Sequence, residues 1–425
     1  MNETRNHTNG AWTGLEAIVG REYVWPATQA DVIDGMQPAG VIAPGNAQQV
    51  AEVLGYGTAA GLAIIPRGGG TKLWLGNRPR KVDFILSTER LNRVIEHAWG
   101  DMTVTVEAGC TIDHVQQALK EHGQRLAVDP LRPETATVGG LLATAESGTL
   151  RIRYGAVRDL VLGVEVALPD GSLIKAGGKV VKNVAGYDLT RLMTGSLGTL
   201  GVITRAVFRL HPIPVATATY STLLTSAEEV TKVVLAILDS HVIYTGLQVR
   251  AQQAGQFTVD VRLDGIPESL QDQFANLSKT APGCRFVEAS GEVWTARQQL
   301  FTDAGHSVIC KCVVLPDQIG SLCDVVFRHA QLEKIQAMLV VQATGVAELR
   351  LDGPGVQPLV EVVNVLRGEL ERLEGTLVVE RCPVAVKEAV DVWGTRNDAL
   401  PLMREIKGKF DPACTLNPGR FVGAI

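Results

Sequence analysis

Apolar positions in the first half of the chain recur at two periods. Residues 46–60, "NAQQVAEVLGYGTAA", set Val50, Val53 and Leu54 at helical spacing behind Asn46 and Gln49, a cap residue and a partner three positions on. A helix is predicted there. The runs "LAIIP" (62–66) and "VDFILS" (82–87) read as strands, and "MTVTVEAG" (102–109) as a third that alternates at period two. Thr111 to His122 predicts a helix closed by Gly123. "VLGVEVALPDGSLIKAG" (161–177) has the pattern of a hairpin turning at Pro169 to Gly171, and "TLGVITRAVFRLHPIP" (199–214) adds a strand with a proline-bounded exit.

The second half repeats an order of elements without repeating a sequence. Residues 217–290 read strand, helix, strand, strand, helix, strand, with Ser226 and Glu229 boxing the first helix and "FTVDVRL" (257–263) alternating. Residues 307–382 run through the same order: "SVICKCVVL", a helix over 317–332, "IQAMLVV", "VAELRLD", a helix over 358–373, and "TLVVERC". Two such split units side by side predict an α+β fold in which one antiparallel sheet carries its helices on one face. The expected organisation is an N-terminal segment (1–25), a glycine-dense domain (26–214), an α+β cap or substrate domain (215–390), and a C-terminal segment (391–425) able to return to the first domain.

Composition narrows the function. The net charge of -5 offers no bulk attraction to nucleic acid, so a bound polyanion needs a local feature. Seven cysteines, at 110, 284, 310, 312, 323, 382 and 414, are odd in number and scattered, which fits a reduced compartment and supplies no zinc or iron–sulfur spacing; no metal is expected. The start, "MNETRNHTNGAW", lacks a secretory pattern, and no run reaches the roughly 18 apolar residues of a membrane span. A cytoplasmic protein is expected, able to meet the inner face of a membrane through partners.

Three glycine-rich segments carry the candidate chemistry. "PRGGGTKL" (66–73) follows a strand, and the bare backbone of Arg67, Gly68, Gly69, Gly70 and Thr71 can form an anion nest for a phosphate or a tight structural turn. It lacks the Walker spacing. "ATVGGLLATAESGT" (136–149) sets Gly139 and Gly140 behind Thr137, with Ala145 and Gly148 following, small enough for a flat ligand or a second backbone to lie close. "GGKVVKNVAGYDLTRLMTGSLGTLGVITR" (177–205) places Gly195, Gly198 and Gly201 just before Val202 and Ile203. Together they suggest an extended cofactor. Gly55, Gly57 and Ala60 match a dinucleotide fingerprint, but they end a helix rather than open one, so loosened helix packing is the better reading.

On these segments in order, "PRGGGTKL", "TVGGLLATAESG", "VVKNVAGYDL" and "GSLGTLGVIT", with "FDP...LNPGRF" at the C-terminal end, the chain closely resembles the FAD-linked oxidases of the vanillyl-alcohol oxidase type, the PCMH-type FAD-binding fold. Within them it looks most like the FAD-binding subunits of bacterial glycolate oxidases. The resemblance implies an FAD-dependent oxidoreductase acting on CH–OH donors. It implies that Arg67 to Thr71 wrap the FAD pyrophosphate, that Thr137, Gly139 and Gly140 with Ala145 and Gly148 lie against the flavin and its diphosphate arm, and that Gly201, Val202 and Ile203 approach the adenine. Members that attach FAD covalently place a histidine after the glycines; Thr71 stands there, so non-covalent FAD is expected.

The histidine-rich "GDGN-x-H" segment of the hydroxy-acid dehydrogenases is missing. His306, in "AGHSVI", is the best histidine left, and a solvated loop residue is its simpler reading. Lys182, Asn183, Tyr187 and Asp188 invite a catalytic role, with helix capping by Asp188 the plainer one. Arg67, Lys72, Arg78, Arg80 and Lys81 read as a solvated positive face from which Arg67 or Lys72 can aid a pyrophosphate. No catalytic base is assigned. The expected function is the FAD-binding subunit of a complex that oxidises glycolate or D-lactate to the 2-oxo acid, beside a larger flavoprotein subunit and an iron–sulfur subunit. The alternatives are a self-sufficient FAD-dependent hydroxy-acid or alcohol dehydrogenase, and a non-catalytic flavoprotein scaffold.

Overall fold

The computed structural model describes residues 2–179, 187–394 and 398–425. The fold is α+β, and its contacts divide the chain into two compact units. One comprises Met1–Gly148, Gly155–Ile213 and Asn397–Ile425; the other comprises Thr149–Tyr154 and Pro214–Arg396.

The first unit holds a four-stranded sheet, a five-stranded sheet and a two-stranded pairing of Gln124–Arg125 with His211–Pro212. In the four-stranded one, Val24–Pro26 pairs antiparallel with Gly40–Ile42, which pairs parallel with Phe84–Ser87, which pairs parallel with Ile64–Arg67. Ile64, Ile65, Phe84, Ile85 and Leu86 are all fully buried, because a parallel sheet is covered on both faces and its strands read as unbroken apolar runs. The second sheet is antiparallel throughout, in the order Val94–Ala98, Thr103–Glu107, Val202–Arg209, Val161–Ala167, Leu173–Gly177. Its last two strands form the hairpin expected at Pro169 to Gly171, and Gly171 takes φ +86°, a conformation that costs glycine little.

Asn46 caps the helix Ala47–Ala59, its side chain accepting the Gln49 amide. Gly55 and Gly57 lie inside that helix, where a Cβ on Gly57 would meet Ile64 Cδ1 at 2.6 Å and one on Gly55 the Gly171 backbone at 3.2 Å. These glycines let a helix approach a strand and a turn. A helix that the apolar pattern did not reveal, Asn2–Val19, buries Leu15 and sets Trp12 edge-on to Phe84 with centroids 5.5 Å apart.

The second unit is built on one antiparallel sheet of eight strands. Its order is Val287–Glu288, Ala216–Leu224, Gln256–Gly265, Tyr244–Gln253, Gln336–Gln342, Val346–Asp352, Val308–Val313, Thr376–Arg381. The helices Ala227–Leu238, Pro267–Thr280, Ile319–Leu332 and Val356–Arg372 contribute Val234, Leu277, Val326 and Val363 to a single core with the strand residues Val249, Val259, Leu339 and Leu349. Cys310 and Cys312 alternate into this core, where burial pushes the Cys312 thiol up to about 12; all seven cysteines are free thiols. The alternate strand positions are polar. Asp260, fully buried, accepts hydrogen bonds from Ser221 Oγ (2.6 Å), Gln248 Nε2 (2.9 Å) and Arg250 Nε (2.6 Å).

Among the described residues, no helix is long and apolar enough to cross a membrane.

Candidate cofactor site

The glycine loop leaves the strand Ile64–Arg67 and turns back at once, with Gly70 at φ +72°. Two of its three glycines answer to residues 135–137, Gly69 to backbone and Gly68 to a side chain. A Cβ on Gly69 would lie 1.7 Å from the Thr135 carbonyl oxygen, and one on Gly68 would lie 2.1 Å from Thr137 Oγ1. The loop is therefore pressed on its inner side against residues 135–137. Its amides remain available, since the N–H groups of Gly68, Gly69, Gly70 and Thr71 donate to no other described residue. Successive N–H groups of this kind form a concave anion nest.

The helix Val138–Thr144 forms the next wall. Thr137 caps it, its Oγ1 accepting the Gly140 amide at 3.3 Å. Gly139 donates to Ala108 O at 2.7 Å, and a Cβ there would sit 2.9 Å from Ala108 Cβ, so only glycine lets the helix start against that strand end. A third wall comes from Ser196 to Gly198 and from Gly201, Val202 and Ile203, where Gly201 is packed so that a Cβ would meet Val166 Cγ1 at 2.6 Å.

These walls line a cleft within the first unit. Arg67, Gly68, Gly69, Gly70, Thr71, Thr137, Gly139, Gly140, Gly201, Val202 and Ile203 line it. Ala145 and Gly148 do not. Ala145 ends the helix in the left-handed conformation (φ +47°), and Gly148 makes room for Asp129, whose Oδ1 would lie 2.1 Å from a Cβ. Both shape the turn behind the wall.

The structure also assigns the cations. Arg67 Nη1 is 2.5 Å from Asp31 Oδ1, and Lys72 Nζ is 4.0 Å from Glu146 Oε2, so each faces a carboxylate. The cleft has a further wall that sequence reasoning missed: Asn417 and Arg420, from the tail. The only local signal for them was the "LNPGRF" string, whose place in space depends on the return of the chain. Elsewhere, Asp188 Oδ1 accepts the Arg191 amide at 3.0 Å and caps Leu189–Met193, Tyr187 is 93% exposed, and His306 lies exposed on a turn of the second unit. Lys182 and Asn183 fall outside the described residues.

The unspent amides and the glycine-lined walls fit a flat cofactor with a diphosphate, and the relatives agree. Residues 38–177 match the family described as FAD binding domain. The chain is 33% identical over 232 residues to the glycolate oxidase subunit GlcD of Bacillus subtilis, an alignment covering 55% of this chain and 49% of that protein, about half its length. It is 27% identical over 438 residues to the D-2-hydroxyglutarate dehydrogenase of Xanthomonas citri pv. viticola, covering 90% of this chain and 89% of the other. In three dimensions it superposes on p-cresol methylhydroxylase with a TM-score of 0.76 at 16% identity, covering 98% of this chain and 96% of the other. The chain thus matches an FAD binding domain over residues 38–177 and shares the fold of p-cresol methylhydroxylase.

Proposed function

We propose that the protein is an FAD-dependent oxidoreductase acting on CH–OH donors, serving as the FAD-binding subunit of a complex that oxidises a small 2-hydroxy acid such as glycolate or D-lactate. The observation that carries this reading is the run of four unspent amides, Gly68 to Thr71, at the edge of a glycine-walled cleft in a domain matched to FAD binding. The loop amides hold the diphosphate, Gly139 and Gly140 allow the ring system or its diphosphate arm to lie against the helix start, and Gly201 to Ile203 border the adenine. When bound, FAD supplies a two-electron acceptor for the hydride on the hydroxy acid's α-carbon.

Thr71 stands where a histidine would be needed to attach the flavin, and a threonine hydroxyl does not make that bond, so the cofactor is non-covalent. The names of the relatives, a glycolate oxidase subunit and a D-2-hydroxyglutarate dehydrogenase, support a 2-hydroxy acid as substrate class. The word subunit in the first supports a hetero-complex. A larger flavoprotein and an iron–sulfur protein are the partners that the glycolate oxidase resemblance implies, and the scattered cysteines of this chain, with no cluster spacing of their own, agree with the second.

The test is optical. Purified protein, or apoprotein reconstituted with FAD, should absorb in the visible, and acid precipitation should leave the flavin in the supernatant. A protein that stays colourless after reconstitution refutes FAD binding; flavin remaining with the pellet refutes the Thr71 argument. Turnover of a hydroxy acid by the isolated chain with an artificial acceptor would overturn the dependence on partners.

A further inference from the structure

Polar side chains on the outer face of the eight-stranded sheet bond one another and the segment beside them, and Gln342 does not. Gln248 Nε2 donates to Asp260 Oδ2 and to Val293 O, both at 2.9 Å, and Trp294 Nε1 donates to Thr219 Oγ1 at 3.0 Å. Arg297 Nε lies 3.5 Å from Glu348 Oε1. Gln342 stands directly opposite Gln248 in the register, and Glu348 stands opposite Val340 on the strand of Gln342, so the three side chains share that face. Gln342 is 2% exposed, yet neither its Nε2 nor its Oε1 has a hydrogen-bond partner among the described residues. Thr344 Oγ1, in the turn that follows, is enclosed and unpaired in the same way, so the two groups lie at one end of one strand. Trp294 and Thr149 press on the sheet close by, since a Cβ on Gly246 would lie 3.0 Å from Trp294 Cη2 and 3.1 Å from Thr149 Cγ2.

A buried primary amide that bonds nothing is costly to a fold, and one held in place needs a reason. The amide offers a donor and an acceptor side by side. A 2-hydroxy acid is the complement: its carboxylate accepts, and the hydroxyl on the adjacent carbon donates. The carboxylate of Glu348 on the same face is itself met by Arg297, so an incoming anion encounters an ion pair and not a bare negative charge. We propose that the Gln342 amide is a hydroxy-acid recognition group of the second unit, its Nε2 donating to the carboxylate and its Oε1 accepting from the 2-hydroxyl. The inference rests on the 2-hydroxy-acid reading above.

The experiment is calorimetric titration of the full chain, freed of FAD so that no oxidation occurs, with glycolate, D-lactate and acetate, the last lacking the hydroxyl. The wild type should bind glycolate more tightly than acetate. Gln342→Met, close in size and shape and unable to bond in the same way, should weaken glycolate by at least about tenfold, the scale of two lost hydrogen bonds, and erase the preference over acetate. Its melting temperature should stay at or above the wild-type value, because an apolar side chain in place of an unpaired buried amide removes a cost from the folded state. A clearly lower melting temperature would make the amide part of the bonding of the fold and overturn the proposal, as would an unchanged glycolate Kd. Gln342→Glu gives a second arm: it keeps the size, puts an anion where the donor stood and should abolish glycolate binding, whereas a wild-type Kd would overturn the proposal. Wild-type protein that binds neither glycolate nor D-lactate would instead sink the underlying hydroxy-acid reading.

Discussion

Lys407 Nζ lies 2.6 Å from Asp411 Oδ2, and the two residues are 5% and 0% exposed. One turn apart on and just beyond the helix Leu400–Phe410, they form a buried ion pair whose other valences are filled by Thr199 O, Leu416 O and the amides of Thr415 and Leu416. Removing one partner strands the other charge in the interior. Lys407→Met is expected to cost about 3–5 kcal/mol, the range for breaking a buried pair, read as a lower denaturant midpoint. A shift under about 1 kcal/mol, the value of an exposed pair, would show that the pair is solvated.

Gly69 is expected to be intolerant for a reason of packing. A Cβ there meets the Thr135 carbonyl at 1.7 Å, and that oxygen belongs to backbone that cannot swing aside as a side chain can. Gly69→Ala should displace the loop and weaken FAD by about tenfold or more, 1.4 kcal/mol for each factor of ten. Gly100→Ala, where nothing lies within 4 Å, should leave the Kd unchanged. Equal affinities in the two variants would mean that the loop backbone is free to move.

Asp31 carries a pH prediction. Burial pushes its carboxyl up, but hydrogen bonds from the Thr28 amide, the Arg67 guanidinium and the Thr28 hydroxyl outweigh this and hold it below its usual 3.8. A carboxyl depressed on folding contributes stability that is present above the unfolded value and lost as pH falls through the folded one. Asp31→Asn should therefore destabilise by about 1.5–3 kcal/mol near neutral pH, with the gap to wild type closing below about pH 4. A gap that stays constant down to pH 3 would contradict the sign.

Much of this was legible in local sequence. Asn46 with Gln49, and Ser226 with Glu229, cap their helices because a cap is a contact between neighbours in the chain. The two β-α-β-β-α-β runs of the second unit were visible because strand alternation and helical periodicity are set within ten residues or so. Thr149–Tyr154 packs with the second unit, and no periodicity in six residues announces such a placement.

For the cleft, the sequence by itself determined where glycine was needed. It did not determine why. Gly68 and Gly69 are required by the approach of residues 135–137, while the loop's amides donate to no other described residue. Which groups face the loop's cations was decided by tertiary structure alone. Arg67 and Lys72 lie in the loop but face Asp31 and Glu146, while Arg420 arrives about 350 residues later to hold Leu73. Backbone conformation is a local property that residue type can specify; the neutralisation of a charge depends on which distant segments the fold brings within a few ångströms, and no spacing along the chain encodes that.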